Sequence, residues 1–365
     1  MAIANWPWKP APDYRRLLAA LRRQGSAVNA PFLELLADSE IIADVLGEPT
    51  VPESVAASDR SAMERLLDQK IRFWHGLGYD AFWQGASLVF PDLLSLDAED
   101  TASLRRDRRR WVDENTGAIS DWASFERYRW PRPEDADFGP MDYVAKHLPD
   151  GMAIIASVDG VLETAMWVMG YASFGLAIYD QPDLIEAIFA RLEEILVPLA
   201  RTVVQMDRVV ALWLGDDMGF KTQPMIAPSH LRRYVFPIQK KLAAIAHQRN
   251  LPFLLHSCGN LEMVMDDLID DVRIDAKHSF EDVIEPVESF AARYAGRISI
   301  VGGIDMDLLS RGSEERVRAR TREVLEACAP TRAYVLGSGN TVANYIPSCN
   351  FLAMLDEGWR FNKGR

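Results

Sequence analysis

Five stretches decide how this sequence reads: VVALWLGDD (209–217), PFLLHSCGN (252–260), RIDAKH (273–278), ISIVGGID (298–305) and AYVLGSGN (333–340). Each opens as a short β-prone run and closes on residues drawn from Gly, Asp, His, Cys, Lys and Asn. Longer helical patterns separate them, at 181–206, 229–248, 261–268, 281–294 and 313–329. Strands alternating with helices imply βαβ crossovers and a parallel sheet. In a parallel barrel the C-terminal ends of the strands share one mouth, so the five polar clusters are expected to converge there.

Upstream, 81–89 and 152–157 read as two more strands, which brings the candidates to seven. That number favours a closed barrel over a doubly wound sheet. The expected fold class is α/β, a (β/α)8 TIM barrel with an N-terminal helical extension. The extension covers 1–75, with helical patterns at 14–21, at 32–46 after Pro31, and at 59–75. The barrel takes 76–365 and carries a polar insertion at 101–146, read as an excursion or lid. The whole is expected to form one structural domain.

Composition narrows the partners. The chain holds 53 Asp and Glu against 40 Lys and Arg, a formal charge of -13. A broad acidic field repels nucleic acid and anionic membrane. The densest basic run, Arg105 to Arg110, is interleaved with acids and reads as a solvated helix face. Three cysteines, Cys258, Cys328 and Cys349, make no disulfide framework and suit a reducing compartment. The N-terminus lacks the apolar run of a signal peptide, and no stretch has the apolar length of a membrane helix. The expected location is the cytoplasm.

His256 and Cys258 sit at i and i+2, on one side of an extended chain. Imidazole and thiolate suit zinc, with a third ligand supplied by Asp216, Asp217, Asp305, His278 or Cys349. The plainer alternative is a substrate-binding histidine beside a packed thiol. Asp216 and Asp217 are adjacent, so one faces the mouth; either reads as a ligand or as a helix cap. Asp305 divides equally between ligand and cap. His278 reads as a general acid or base, or as a structural partner of Glu281 or Asp282. GSGN at 337–340 reads as a small anion cradle, with Asn340 and Asn344 as ligand contacts. Cys328 reads as core packing.

GDDMGFKTQPMIAPSHLRRYVFP (215–237), LLHSCGN (254–260), DAKHSFEDVIEPV (275–287), GGIDMD (302–307) and GSGNTVANYIPSCNFLAML (337–355) together resemble the uroporphyrinogen decarboxylase superfamily. The likeness covers about 151–360. It implies a (β/α)8 barrel with N-terminal helices and one of two chemistries. One branch decarboxylates a tetrapyrrole polycarboxylate without cofactor. The other moves a methyl group between a corrinoid protein and a thiol, using zinc held by a His-x-Cys pair and a later cysteine.

His256 and Cys258 match the zinc pair of the methyltransferase branch. The later cysteine falls on Ser338, a poor zinc ligand, and a carboxylate from Asp217 or Asp216 is the easier replacement. The decarboxylase branch carries an arginine-rich MRQAGRY segment where this chain has PFLELLAD (31–38), with Glu34 and Asp38. Its histidine in the last glycine-flanked motif is also Ser338 here. The resemblance therefore implies zinc-assisted methyl transfer, with His256, Cys258 and Asp217 on the metal. Asp217, His256, His278 and Asp305 would serve the chemistry, and Ser338, Asn340 and Asn344 would hold the polar end of the bound molecule. Expected partners are a small-molecule substrate, a corrinoid-binding protein and a second copy of the chain. Metal-free decarboxylation and non-catalytic corrinoid or tetrapyrrole binding are the alternatives.

Overall fold

The computed structural model describes residues 3–364 apart from 58, 94, 105, 107 and 114–116. Its strands are β1 (Ala81–Gly85), β2 (Ser95–Glu99), β3 (Arg108–Val112), β4 (Ala153–Val158), β5 (Val209–Gly215), β6 (Phe253–His256), β7 (Ala276–His278), β8 (Ser299–Val301) and β9 (Tyr334–Val335). Seven of them form one parallel sheet in the order β1-β4-β5-β6-β7-β8-β9, while β2 and β3 pair antiparallel as a separate ribbon. Each of the seven expected runs overlaps one sheet strand.

The expected closed eight-stranded barrel is corrected to an open, curled parallel sheet. Residues 32–38, expected to start a helix, run extended beside β9 instead, and the helix begins at Ser39–Leu46. Leu33 N donates to Leu336 O (3.0 Å), Leu336 N to Pro31 O (2.8 Å) and Asp38 N to Val342 O (3.0 Å). These bonds to the sheet override the helical propensity of the segment. They yield only isolated bridges, Phe32 to Leu336 and Ala37 to Val342. Between the two bridges the Ser338 N–H goes to the Glu34 carboxyl group, not to a backbone carbonyl, so no regular ladder forms.

A second correction concerns β7, expected at 272–276. Arg273 has φ 68°, in the left-handed region that a strand residue cannot occupy. The strand therefore starts at Ala276, and Lys277 and His278 belong to it rather than follow it.

Alternation along the strands sorts the side chains into two layers. Ala81, Ile155, Ala211, Trp213, Leu254, Ala276, Val301 and Val335 pack together inside the curl. Leu17, Ala20 and Leu21 of the helix Tyr14–Leu21 join them and plug the N-terminal end of the sheet. Each of those leucines, buried fully, contributes roughly 1.5–3 kcal/mol. Arg16 of the same helix pairs with the buried Asp80 at 2.5 Å. With that end filled, the C-terminal ends of the strands remain as the mouth. Register sets what meets there: Gly215 lies beside His256, and His256 beside His278.

The arginine run is also corrected. Arg108–Val112 is a strand, not a helix face, and Arg106 bonds Asp38 (2.5 Å) and Glu40 (2.9 Å). Arg105 and Asp107 lie outside the described residues. Within 101–146, Ile119, Tyr128, Met141 and Val144 are buried in the main core, so much of this stretch is packed onto the body. Among the described residues no single helix is long and apolar enough to cross a membrane; the helices Val161–Met169 and Tyr171–Asp180 pass such a test only together, and they are bent by 99°.

Candidate metal centre

The ends of β5 and β6 build the centre. Asp216 and Asp217 follow β5 and turn opposite ways. Asp216 is buried, and its Oδ1 accepts from Leu162 N (2.9 Å) and Glu163 N (3.0 Å), capping the helix Val161–Met169. Its Oδ2 accepts from Gln239 Nε2 (2.7 Å). Asp217 faces the mouth. Its Oδ1 accepts from Cys258 N (2.8 Å) and lies 3.5 Å from His256 Nε2. His256 Nε2 lies 3.7 Å from Cys258 Sγ.

One ligand atom each from Asp217, His256 and Cys258 thus falls within 4.8 Å of the others. Zinc bonds of about 2.0–2.3 Å at tetrahedral angles place ligand atoms about 3.3–3.8 Å apart. The observed 3.5 and 3.7 Å fit that spacing. The set is a carboxylate, an imidazole and a thiol, all within zinc's usual donors. Burial pushes the His256 imidazolium well below its ordinary range, so the ring is neutral and able to ligate at pH 7. Burial, then the Asp217 charge, pushes the Cys258 thiol up to about 12 in the metal-free protein. Ser279 Oγ (3.4 Å) and Asn340 Nδ2 (3.2 Å) both donate to Cys258 Sγ, a pairing that favours the thiolate once the proton is displaced. Ser279 holds φ 81°, a strained value for a residue with a Cβ, and this turn aims its hydroxyl at the sulfur.

The other expected site residues divide. His278 stands behind His256, fully buried, with the two Nδ1 atoms 2.7 Å apart. Asp305 caps the helix Met306–Arg311 and also accepts from Asp282 N, while lining a cavity beside the mouth. Asn344 is buried, its Nδ2 on Asp100 Oδ2 (2.6 Å) and Leu104 O (2.8 Å). The anion cradle at 337–340 is not open: Ser338 N donates to Glu34 and Gly339 N to Ile304 O. Cys349 is exposed on the helix Ser348–Asn362, outside the group of ligand atoms, and Cys328 is buried as packing.

Comparison with known proteins sets this geometry in a lineage. The family profile described as Uroporphyrinogen decarboxylase (URO-D) matches residues 118–358. The chain belongs to the uroporphyrinogen decarboxylase family. A curated uroporphyrinogen decarboxylase from Anaeromyxobacter dehalogenans is 24% identical over 229 residues, covering 58% of this chain and 61% of the relative. The methylcobamide:CoM methyltransferase MtbA of Methanosarcina mazei is 23% identical over 216 residues, 58% of each protein. This chain thus spans about three fifths of the length of these curated relatives. A solved methyltransferase from Methanosarcina mazei shares the fold, with a TM-score of 0.69 at 19% identity over 95% of this chain and 98% of that one.

Within this family frame, three residues whose roles the sequence did not show stand at or behind the centre. Glu163, in the first turn of the helix Val161–Met169, lies close to Asp217. Burial first, then the charges of Asp217, Asp216 and Asp159, push its carboxyl up to about 9. The signal was present: Asp159-Gly160 follows β4 just as polar pairs follow the later strands. Ser279 needed the backbone conformation to be recognised.

Glu34 is the third. It had been read as bare negative charge in place of the arginine segment, and is instead buried against Ser338. Ser338 Oγ lies 2.5 Å from Glu34 Oε2 and also contacts the Asn340 carbonyl. A carbonyl only accepts, so the hydroxyl proton goes to Asn340 and Glu34 supplies its own proton to Ser338. Burial agrees, lifting Glu34 from 4.5 to about 8.

A carboxyl whose folded pKa is raised contributes stability that is complete below the unfolded value and lost as pH climbs through the folded one. Here the window runs from 4.5 to about 8. Glu34→Gln should flatten the fall of stability across it, by on the order of 4 kcal/mol. Urea midpoints at acidic and alkaline ends of that window measure this; an unchanged slope in the variant removes Glu34 as the source.

Proposed function

We propose that this chain transfers a methyl group to a thiol, assisted by a zinc ion held by Asp217, His256 and Cys258. The observation that carries this reading is the convergence of those three ligand atoms at the C-terminal mouth. The name of the MtbA relative supplies the reaction class. When bound there, zinc makes a thiol acceptor nucleophilic near neutral pH by favouring loss of its proton.

The chain's own residues do the rest. Asp217 and Cys258 supply negative charge and His256 a neutral nitrogen. Ser279 and Asn340 donate to Cys258 Sγ and hold it toward the mouth. The acceptor sulfur attacks the methyl carbon, the carbon–sulfur bond forms, and the bond from methyl to its donor breaks with its electron pair left on the donor. The donor we infer is a corrinoid carried by a partner protein, or a small methylated compound.

A cavity of about 1230 Å3 opens beside the centre, and Asn340 belongs to both. Its wall holds six carboxylates (Asp38, Glu281, Asp282, Asp305, Asp307 and Glu323) and four arginines (Arg106, Arg311, Arg316 and Arg320). Arg320 is already paired with Asp282 and Glu288, and Arg106 with Asp38 and Glu40. Such a wall is poorly suited to a polycarboxylate, which speaks against the decarboxylase alternative.

The test is methyl transfer from methylcobalamin to a small thiol by the zinc-loaded protein, followed by the fall of methylcobalamin absorbance and by thioether yield. Transfer supports the reading. No transfer from methylcobalamin or from a panel of methylated compounds, with carbon dioxide released from a tetrapyrrole acid by metal-free protein, overturns it.

Zinc affinity should also depend on pH. Below about 12 the free thiol keeps its proton, and binding must displace it. His256, held neutral, adds no second proton near pH 7. The logarithm of the affinity should then rise by about one per pH unit through neutrality. Chelator competition at two pH values measures the slope, and a flat profile excludes Cys258 as a ligand.

A further inference from the structure

We propose that His278 is a positioning residue: through one buried hydrogen bond it forces His256 into the tautomer that leaves Nε2 bare toward Asp217 and Cys258. The inference rests on the proposed metal centre for its purpose, but the tautomer itself is a property of the metal-free protein.

The proton count runs from the far end of the chain of contacts. His278 Nε2 lies 3.3 Å from the Ser338 carbonyl oxygen. A carbonyl has no proton to give, so His278 carries its hydrogen on Nε2. His278 is fully buried, and among the described residues the polar contacts of its ring are this carbonyl and the ring of His256. A buried imidazolium without a carboxylate partner costs several kcal/mol, so the ring holds one proton and its Nδ1 is bare.

That bare Nδ1 lies 2.7 Å from His256 Nδ1. Two bare nitrogens at that distance repel, so His256 must carry its hydrogen on Nδ1 and donate it. His256 Nε2 is then a lone pair directed at the site, 3.5 Å from Asp217 Oδ1 and 3.7 Å from Cys258 Sγ. A lone pair facing a carboxylate oxygen is unfavourable without a cation or proton between them, which is the arrangement a metal ligand needs.

The fold enforces the contact. β6 and β7 pair in parallel with His256 beside His278, and both rings lie on the inner face with Trp213 5.1 Å from the His278 ring. Main-chain register and packing, not side-chain mobility, hold the two Nδ1 atoms together. The Ser338 carbonyl is itself held, because Glu34 grips Ser338 N and Oγ.

Two measurements test the proposal. Long-range 1H–15N spectra of metal-free, 15N-labelled protein resolve the tautomers of its six histidines, with His256→Gln used to assign the His256 signals. His256 protonated on Nδ1 is expected. His256 protonated on Nε2 overturns the proposal whether or not the protein binds zinc. Zinc affinity is then compared in two variants. His278→Phe keeps the volume but cannot accept, and should weaken zinc by about 10–100-fold. His278→Asn still presents an acceptor to His256 and should stay near wild type.

Equal weakening in both variants assigns His278 to packing and overturns the proposal, as does unchanged affinity in His278→Phe. If His278→Phe does not fold, the wild-type tautomer still decides. A wild-type protein with the expected tautomer and no zinc binding sinks the metal reading alone.

Discussion

Cys258→Ala yields a folded protein that no longer holds zinc. Metal content should fall from about one ion per chain to background, because a carboxylate and an imidazole alone are too few ligands for a zinc site. Methyl transfer should fall on the order of 1000-fold, the rate equivalent of several kcal/mol of lost Lewis-acid assistance. The fold should tolerate the change. The contacts of Cys258 Sγ with Ser279, Asn340 and His256 are long and weak, and Asn340 also lines the open cavity, where its amide can find water. Elemental analysis beside circular dichroism separates metal loss from unfolding. A variant that keeps its zinc, or loses zinc without losing transfer, contradicts the role given to this centre.

Asp216→Ala and Asp217→Asn should fail in opposite ways, although the two residues are neighbours. Asp216→Ala removes a buried cap from the helix Val161–Met169 and strands the Leu162 and Glu163 N–H groups and the Gln239 amide. A lost cap costs about 1 kcal/mol, and each buried donor left unpaired adds about 1–3 kcal/mol before relaxation. A net loss of about 3 kcal/mol is expected, read as a lowered urea midpoint. Asp217→Asn keeps size and shape at a partly exposed position. It should leave the midpoint almost unchanged while weakening zinc by removing a charged ligand. If Asp216→Ala keeps full stability and loses metal instead, the assignment of the two carboxylates is reversed.

Much of the architecture was legible in the chain. Apolar runs such as VVALWL and FLL are buried strands, and their spacing against long amphipathic helices implies parallel pairing. The His256–Cys258 pair was legible as a candidate metal site as well, because i and i+2 on a strand share a face, while Asp217 stood only as one of five possible third ligands. Barrel closure was not legible. PFLELLAD carries helical propensity, and only the competing bonds from Leu336, Ser338 and Val342 draw it out as an extended edge. The role of Glu34 was hidden for the same reason: its partner Ser338 lies 304 positions away.

The sequence by itself determined that this is an α/β chain with a parallel sheet, and that His256 and Cys258 share one side of a strand end as candidates for one metal. Those properties follow from periodicity and from short-range geometry, which any chain with this pattern shares. Only the tertiary structure decided which of two adjacent aspartates turns to the mouth, why the sheet stays open, and that His278 stands behind His256. Each of these depends on where a hydrogen-bond donor finds its acceptor across the fold. That choice is made by register and burial among residues far apart in the chain, so no local pattern records it.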